Sequence, residues 1–514
     1  MTRRTITRRD FVKWAAAAGG TAAAGLQLGG EALANRHPKP RPTSLPYLDR
    51  NMYRKNTDVL AIVDPGEERG SKMQMMSIGP RRFLFNRRDI IEVTDPLKPV
   101  TVNKQAYASG QIQVAYNRRL SKWILMTGHG SMGTFSTPKW PHGKYDNADL
   151  IKRNLEQKGL RGVRFYDCSD PTKLVLLSEW SCDQGDPKRE VQTGSGVHRC
   201  YWDGGQYAYL DTGPDNTFTN MEAWFRYYTN GVQIIDVSDP TQPKFVSNWW
   251  VPGQRQGEED AYRKWSEHGD KTSFTSLHGP VYVPRRVEDG GRYGYGAWGS
   301  FGMLIHDVSD VRNPKLVSRF NPTKKIGAIP FHTIDIARLD RGFVIANPEV
   351  LNPDCNEEYQ PTYVIDVKNP ASPRLLSTLP VPVPPADAPY KTFCDKRGRF
   401  GPHNPPHLKA PGRPDPNFTA YGFFNAGLQL YDVRDPAHPQ NTGYFIPPQP
   451  GSLDDYLSFP RDTDAVFIEW DRKLMWVGAG SGLYLVSSPM LGKPVLSQMP
   501  VSTWSLPGLN AGAA

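Results

Sequence analysis

Short apolar runs separated by polar turns recur along most of the chain. The recurring unit is an apolar strand, a turn of the type Asp-x-Ser-Asp-Pro and a second apolar strand, as in VQIIDVSDPTQPKFV from Val232. The turn residues of its seven copies are Asp95, Asp170, Asp239, Asp310, Asn369, Asp435 and Ser488. Asp, Asn or Ser accepts hydrogen bonds from the amides just ahead, and the following Pro sets the backbone for the bend. Each copy therefore predicts two strands joined by a tight turn.

A second strand pair precedes most copies of this unit. Examples are RCYWDGGQYAYLDTG from Arg199 and AVFIEWDRKLMWVGAGS from Ala465, each a strand, a polar turn and a strand. Four strands repeated seven times predict an all-β fold, a seven-bladed β-propeller with long loop insertions. A β-sandwich or a string of small β domains is the alternative. The 47 Gly and 47 Pro fit a chain dense in turns, and the 13 Trp, 23 Tyr and 21 Phe fit a packed core.

The first 34 residues have the features of an export signal. Thr7–Lys13 resembles the twin-arginine motif, an Ala/Gly/Leu-rich stretch follows, and Ala32–Ala34 fits a small-x-small cleavage site. We expect a signal peptide over 1–34, one propeller domain over 35–514, and export to the periplasm by the twin-arginine machinery. That pathway carries folded proteins, often with a cofactor inserted. A disordered basic tail is the alternative.

Charge and hydropathy exclude two classes of protein. The formal charge is +10, but the basic residues are scattered and no nucleic-acid-binding motif accompanies them. Beyond the N-terminus no uncharged apolar run reaches the ~18 residues of a membrane helix. We therefore expect neither a nucleic-acid partner nor an integral membrane segment in the mature chain.

The five cysteines contain no CxxC pair, which disfavours a thiolate metal site. Two disulfides are possible in an oxidising compartment, one between Cys355 and Cys394 and one between Cys182 and Cys200. Five is an odd number, so at least one thiol is free or bonded to another molecule.

The Asp-Val-Ser-Asp-Pro units resemble LVIVD repeats, which build seven-bladed propellers in secreted and periplasmic bacterial proteins. The resemblance extends roughly from Met75 to Pro500. It bears on the architecture and says little about activity, because one fold serves many functions.

Four consecutive blades offer a histidine where the innermost strand begins. They are His198, His278, His332 and His403, with His407 as the alternative to His403. The other blades offer Thr463 or Asp464, Ser109 or Gln111, and Ser77 or Pro80. Inner strands line a propeller's channel, so the imidazoles are expected to converge there with coordination positions left open. This ligand set suits copper or iron, with zinc possible. Hydrogen-bonded wall residues, or an acid–base set without metal, remain the alternatives.

Several charged residues lie near the histidines in sequence. Glu267 and His268 are weak candidates for catalytic groups, and Glu349 and Glu357 could orient imidazoles. Strand alternation predicts that Arg199 points away from the channel and is structural.

Long insertions are expected to gather over the channel. They span approximately 128–160, 213–230, 253–276, 379–402 and 445–462. Their aromatic residues are Trp140, Trp224, Phe225, Tyr227, Tyr228, Trp265, Tyr390, Phe393 and Tyr456. An aromatic mouth would suit a small apolar or aromatic substrate. Packing within the loops, or a dimer contact, is the alternative.

These features predict a periplasmic metal-dependent oxidoreductase of the oxidase or oxygenase type. Carotenoid cleavage oxygenases, which hold iron with four axial histidines in a seven-bladed propeller, are similar in geometry only. Selenium-binding protein and methanethiol oxidase, propellers with His-rich, copper-linked sites, are distantly similar, and no residue roles transfer from either. A zinc-type hydrolase or lyase, or a non-catalytic propeller that recognises a protein or cell-surface ligand, would also fit.

Overall fold

The computed structural model describes the greater part of the chain beyond residue 44. The described residues are 45–63, 72–86, 88–108, 111–130, 158–183, 192, 194–218, 230–255, 257–258, 260–261, 276–322, 329–357, 359–458, 462–497, 504–506 and 509–511. The predicted leader over 1–34 and the candidates Glu267 and His268 lie outside them.

Twenty-eight strands form seven four-stranded antiparallel sheets. In chain order, each written from the axis outward, the blades are β3 (Met73–Ile78), β4 (Arg81–Asn86), β5 (Asp89–Glu92), β6 (Val100–Asn103); β7 (Ile112–Asn117), β8 (Lys122–Gly128), β9 (Gly162–Asp167), β10 (Val175–Ser181); β11 (Arg199–Tyr201), β12 (Tyr207–Thr212), β13 (Gly231–Asp236), β14 (Lys244–Trp249); β15 (Gly279–Tyr282), β16 (Tyr293–Ala297), β17 (Met303–Asp307), β18 (Lys315–Phe320); β19 (Ile329–Asp335), β20 (Phe343–Glu349), β21 (Tyr363–Asp366), β22 (Arg374–Thr378); β23 (Phe418–Gly422), β24 (Leu428–Asp432), β25 (Gln440–Ile446), β1 (Tyr53–Lys55); and β26 (Ala465–Glu469), β27 (Leu474–Ala479), β28 (Gly482–Ser487), β2 (Asp58–Val63). The prediction of an all-β, seven-bladed propeller is confirmed.

The remaining described elements are short. A hairpin joins β29 (Trp504–Leu506) to β30 (Leu509–Ala511), and α1 spans Leu453–Ser458. Single-turn 3-10 helices span Asn216–Phe218, Val287–Asp289, Gly299–Phe301 and Leu339–Arg341. Among the described residues, no helix has the length and apolar character needed to cross a membrane.

The repeated turns form by the mechanism that the sequence predicts. Asp170 Oδ1 accepts the Thr172 N–H and Asp239 Oδ1 accepts the Thr241 N–H, each at 3.0 Å. The second strand of the fifth blade, β20, is buried at every position, whereas its outer strand, β22, is mostly exposed. The core therefore lies between the inner strands of neighbouring blades.

The N-terminal chain supplies the outer strands of the last two blades. β2 pairs with β28 to complete the seventh blade, and β1 pairs with β25 at the edge of the sixth. The sequence instead predicts that the repeat copy at Leu483 supplies its own second strand. That copy departs from the repeat pattern, and β2 serves as the outer strand of the seventh blade in its place. Val59 and Ala61 of β2 pack against the core. Closure by the N-terminal strand joins the two ends of the sheet ring.

In the sixth blade β23 takes the second position, and the inner position is held only by a short segment at His403 and Asn404. His403 N donates to Gly422 O at 2.8 Å, which continues the sheet inward from β23. Beyond Asn404 the chain leaves the blade as residues 405–411, named here the axial segment. Its Lys409 Nζ donates to Val114 O at 3.0 Å in the second blade and to Trp202 O at 2.6 Å in the third. The axial segment therefore fills the middle of the propeller, towards the end of the inner strands opposite the histidines.

Candidate metal centre

The structure brings the four predicted histidines of consecutive blades together. The residue that follows each histidine, at 199, 279, 333 and 404, faces the end of the second strand of its blade, at 211, 297, 347 and 422. Ring centroids are 4.4 Å apart for His198 and His278, 4.4 Å for His278 and His332, and 4.7 Å for His332 and His403. The shared register therefore produces a continuous arc of imidazoles.

His332 lies in an irregularity of β19 that turns it towards the arc. Ile329 faces Glu349 and Thr333 faces Asn347, so Pro330, Phe331 and His332 are opposed by Pro348 alone. Extra residues of this kind bend a strand locally and re-aim side chains. The same irregularity keeps Glu349, the last residue of β20, beside the imidazole.

Glu349 lies within reach of three members of the arc. Its Oε2 is 3.4 Å from His332 Nε2 and 3.7 Å from His278 Nε2, and its Oε1 is 3.5 Å from His403 Nε2. The donor atoms of His278, His332 and Glu349 all lie within 4.8 Å of one another. We name His198, His278, His332, His403 and Glu349 the axial cluster. Sequence reasoning placed Glu349 only near the histidines, and the structure places it among them.

Burial holds several of these histidines in the neutral form. It lowers the pKa of His198 to about 4, helped by the neighbouring His403, and it lowers the pKa values of His278 and His332 well below the ordinary range. A neutral imidazole offers the lone pair that a metal ion requires.

Arg199 is directed into the site, so the prediction that it points away from the channel is wrong. Its Nη2 is 2.8 Å from His332 Nε2 and donates to it, and its Nη1 donates to Asn404 Oδ1 at 3.4 Å. The two faces of a blade strand pack on the neighbouring blades. Tyr201, on the same face of β11 as Arg199, packs on Tyr282 of the fourth blade. Alternation therefore selects the preceding or the following blade, and a long side chain on either face can reach the axis.

The groups expected from the remaining blades reach the site only in part. Asp464 of the seventh blade contacts His403 Nδ1, whereas Thr463 bridges to Phe424. Ser77 and Pro80 of the first blade lie at the far end of β3, so that expectation is wrong and Lys72 lies at the near end instead. In the second blade Gln111 precedes β7, and Ser109 lies outside the described residues.

His403, and not His407, belongs to the axial cluster. His407 lies in the axial segment, where its ring contacts Gln74 Nε2 and its Nδ1 accepts the Lys409 N–H at 3.1 Å. His407 therefore holds the axial segment in place.

Two further expectations concern the surroundings of the cluster. Glu357 accepts the Asn352 N–H at 3.1 Å and shapes the loop after Glu349, and burial raises its pKa to about 7.

Of the aromatic residues in the insertions, Tyr390, Phe393 and Tyr456 are described, and all three are buried. Tyr390 and Phe393 pack with Phe423 inside the loops, so they do not line a mouth.

A disulfide fastens the loops that carry the cluster. The structure joins Cys355 to Cys394, with Cα atoms 5.3 Å apart, while Cys182 and Cys200 are both free and buried. Cys355 lies in the loop after Glu349, and Cys394 lies in the insertion that leads to His403. The bridge therefore connects the two segments that converge on the site.

Replacing both Cys355 and Cys394 by alanine should destabilise the protein by about 2–4 kcal/mol. The bridge joins residues 39 positions apart and so restricts the unfolded chain. Denaturant midpoints of the variant and the wild type, each measured with and without reductant, check this. Reductant should lower the wild-type midpoint and leave that of the variant unchanged. Equal midpoints in all four samples would contradict the prediction.

Comparison with known proteins finds one matching repeat and two distantly similar solved structures. The family model for the LVIVD repeat matches residues 227–250, which include β13 and β14. No curated protein matches the chain. Among solved structures, the chain is similar to Chaetomium thermophilum Raptor (10% identity, TM-score 0.45, 85% of this chain and 30% of Raptor). It is also similar to the β-propeller domain of Myceliophteria thermophila Cps50 (Swd1) (10% identity, TM-score 0.44, 84% of this chain and 99% of that domain). It thus spans less than a third of the length of Raptor.

The sheet topology and the matched repeat define the class of protein. The chain is a seven-bladed β-propeller that carries an LVIVD repeat.

Proposed function

We propose that the protein is a periplasmic metal-dependent oxidoreductase acting on a small molecule, with its metal held by the axial cluster. One observation carries the proposal. The Nε2 atoms of His332, His403 and His278 lie 3.4, 3.5 and 3.7 Å from the Glu349 carboxylate. Ligand atoms about 2.1 Å from a tetrahedral ion stand about 3.4 Å apart. The spacing suits donors that share an ion better than it suits direct hydrogen bonds.

The donor set narrows the choice of metal. Neutral imidazoles with a single carboxylate and no thiolate suit copper or iron, and they accept zinc. A copper or iron ion would supply one-electron redox chemistry, whereas zinc would support hydrolysis or elimination instead. The chain's part is to fix the imidazoles by their register, to position Glu349 through the Arg399 contact at 3.3 Å, and to close one end of the site with the axial segment.

The location forms part of the proposal. The disulfide between Cys355 and Cys394 favours an oxidising compartment, and the twin-arginine-like sequence over 1–34 would direct export to the periplasm. Export in the folded state would allow the metal to be inserted beforehand.

A non-catalytic recognition propeller is the competing proposal, and one observation favours it. Arg199 donates to His332 Nε2 and Asp464 contacts His403 Nδ1, so these two imidazoles already have protein partners. Histidines satisfied in this way can serve as wall residues without an ion.

Metal analysis of the exported protein separates these proposals. We expect close to one equivalent of copper or iron per chain after growth in metal-replete medium, with an absorption or EPR spectrum that changes between anaerobic and aerobic samples. One equivalent of zinc and no response to O2 would favour the hydrolase or lyase. A content far below one equivalent, restored by none of the three metals, would overturn the metal-dependent proposal and favour the recognition propeller.

A further inference from the structure

Two cationic side chains meet beside the axial cluster on a single neutral acceptor. Asn404 Oδ1 accepts Lys72 Nζ at 2.9 Å and Arg199 Nη1 at 3.4 Å. Because both nitrogen atoms bind the same oxygen, they lie close to one another. Asn404 adjoins His403, so both cations stand at the edge of the cluster.

Arg199 is a buried guanidinium whose hydrogen-bond partners are neutral. The residue is 5% exposed, its Nη atoms donate to Asn404 and His332, and its Nε has no hydrogen-bond partner among the described residues. Buried guanidinium groups ordinarily pair with carboxylate or phosphate. Within the described part of the chain, no carboxylate or phosphate pairs with Arg199, and its burial without one requires an explanation.

Among the described residues, the acids near Arg199 do not form an ion pair with it. Asp211 faces Arg199 across the hairpin, but neither of its carboxylate oxygens hydrogen-bonds to the guanidinium. Glu349 lies within ion-pair distance of Arg399, which stacks on the Phe424 ring at 3.7 Å. Asp464 contacts His403. Within the part of the chain that the structure describes, Arg199 and Lys72 thus have no hydrogen-bonded carboxylate, and both lie beside the axial cluster.

We propose that Arg199 and Lys72 form the anion-binding part of the substrate site, and that the substrate is a small organic carboxylate. The inference deepens the proposed function, on which it rests for the reacting centre. Two oxygens of one carboxylate can each meet one of two cations so spaced, and the planar guanidinium suits carboxylate geometry. The substrate would lie with its charged end on the cations and its body towards the axial cluster.

Arg199 also connects the carboxylate to the metal. Its Nη2 donates to His332 Nε2, the atom that a metal ion would need. If a metal ion bound His332 Nε2, Arg199 would lose this hydrogen-bond acceptor. A bound carboxylate would then accept the hydrogen bond from Arg199 instead. Each ligand should therefore strengthen the binding of the other by the same factor.

Calorimetric titration of the full chain with benzoate and with benzamide tests the assignment. The two probes have nearly the same shape, and only benzoate is charged. We expect benzoate to bind at least about tenfold more tightly than benzamide, both before and after treatment with chelator, since a charge-assisted hydrogen bond is worth about 1.5–3 kcal/mol.

The variants test the two cations one at a time. Arg199→Gln and, separately, Lys72→Gln should each weaken benzoate binding and leave benzamide binding unchanged. Arg199→Lys should keep part of the preference for benzoate that Arg199→Gln loses. Lys173→Gln, at an exposed turn, is the matched control and should bind both probes as the wild type does.

Equal binding of the two probes would overturn the proposal, as would a preference for benzoate that survives in both the Arg199→Gln and the Lys72→Gln proteins. Inorganic phosphate binding more tightly than benzoate would overturn the carboxylate assignment. The metal content of the same samples keeps the two proposals apart. A benzoate preference in a protein that binds no metal would support the anion site and overturn the oxidoreductase proposal. A protein that binds metal and shows no benzoate preference would support the metal centre and overturn the anion site.

Discussion

Replacing His332 by alanine should abolish tight metal binding while the propeller stays folded. His332 is the fully buried centre of the arc, 3.4 Å from Glu349 Oε2, with rings of the cluster on both sides. Losing a residue that only supports a metal ligand typically costs 10- to 100-fold in affinity, so losing a ligand should cost at least about 100-fold. Competition with a chromophoric chelator measures the change.

The control for this prediction is His438→Ala. His438 lies at the sixth-blade turn, where its exposed ring pairs with Asp435, and its loss should leave metal affinity unchanged. Circular dichroism of both variants should match the wild type. An equal loss of affinity in both variants, or in neither, would contradict a metal centre at the axial cluster.

Glu469→Gln should be the most destabilising conservative change in the blade interface that closes the ring. Glu469 is fully buried and accepts hydrogen bonds from Arg82 of the first blade and from Arg472 and Trp476 of the seventh. Arg472 continues to Val93 O of the first blade at 2.9 Å. Removing the charge leaves Arg472 without its carboxylate partner among the described residues, whereas Arg82 keeps Asp471 at 2.7 Å. Losing one partner of a buried ion pair costs about 3–5 kcal/mol.

Glu92→Gln provides the matched comparison for Glu469→Gln. Glu92 pairs with Arg81 at 2.6 Å, but half of the Arg81 side chain is exposed. Exposed pairs contribute about 0–1 kcal/mol. Chemical denaturation of the two variants should separate their midpoints clearly, and similar small losses in both would refute a role for Glu469 in closing the ring.

The sequence predicts the architecture well because the repeat encodes it locally. Each turn carries its own Asp, Asn or Ser acceptor, and the number of copies gives the number of blades. The arc of four histidines was likewise predictable, because equivalent register positions of neighbouring blades meet at the axis. β1 and β2 were missed because they carry no turn motif, so nothing in their sequence indicates the blades that they complete.

The parts of the site that the sequence did not reveal depend on distant pairings. Glu349 joins the cluster because of the irregularity of β19. Nothing in the sequence before Thr333 indicates that irregularity. The contact of Arg199 with His332 depends on the packing of the third blade near the fifth. Lys72 was missed because the loops between strands differ in length from blade to blade, so counting back from the turn at Asp95 gives no fixed position. The chain follows an inner strand at His403 and Asn404 and then leaves the blade as the axial segment.

Anomalous diffraction from crystals of the exported protein, recorded at the absorption edge of its bound metal, tests the central claim most directly. We expect one strong anomalous peak per chain, about 2.0–2.2 Å from Nε2 of His278 and His332 and from a Glu349 oxygen. A peak at another place, or protein that retains its metal with no peak among these residues, would contradict it.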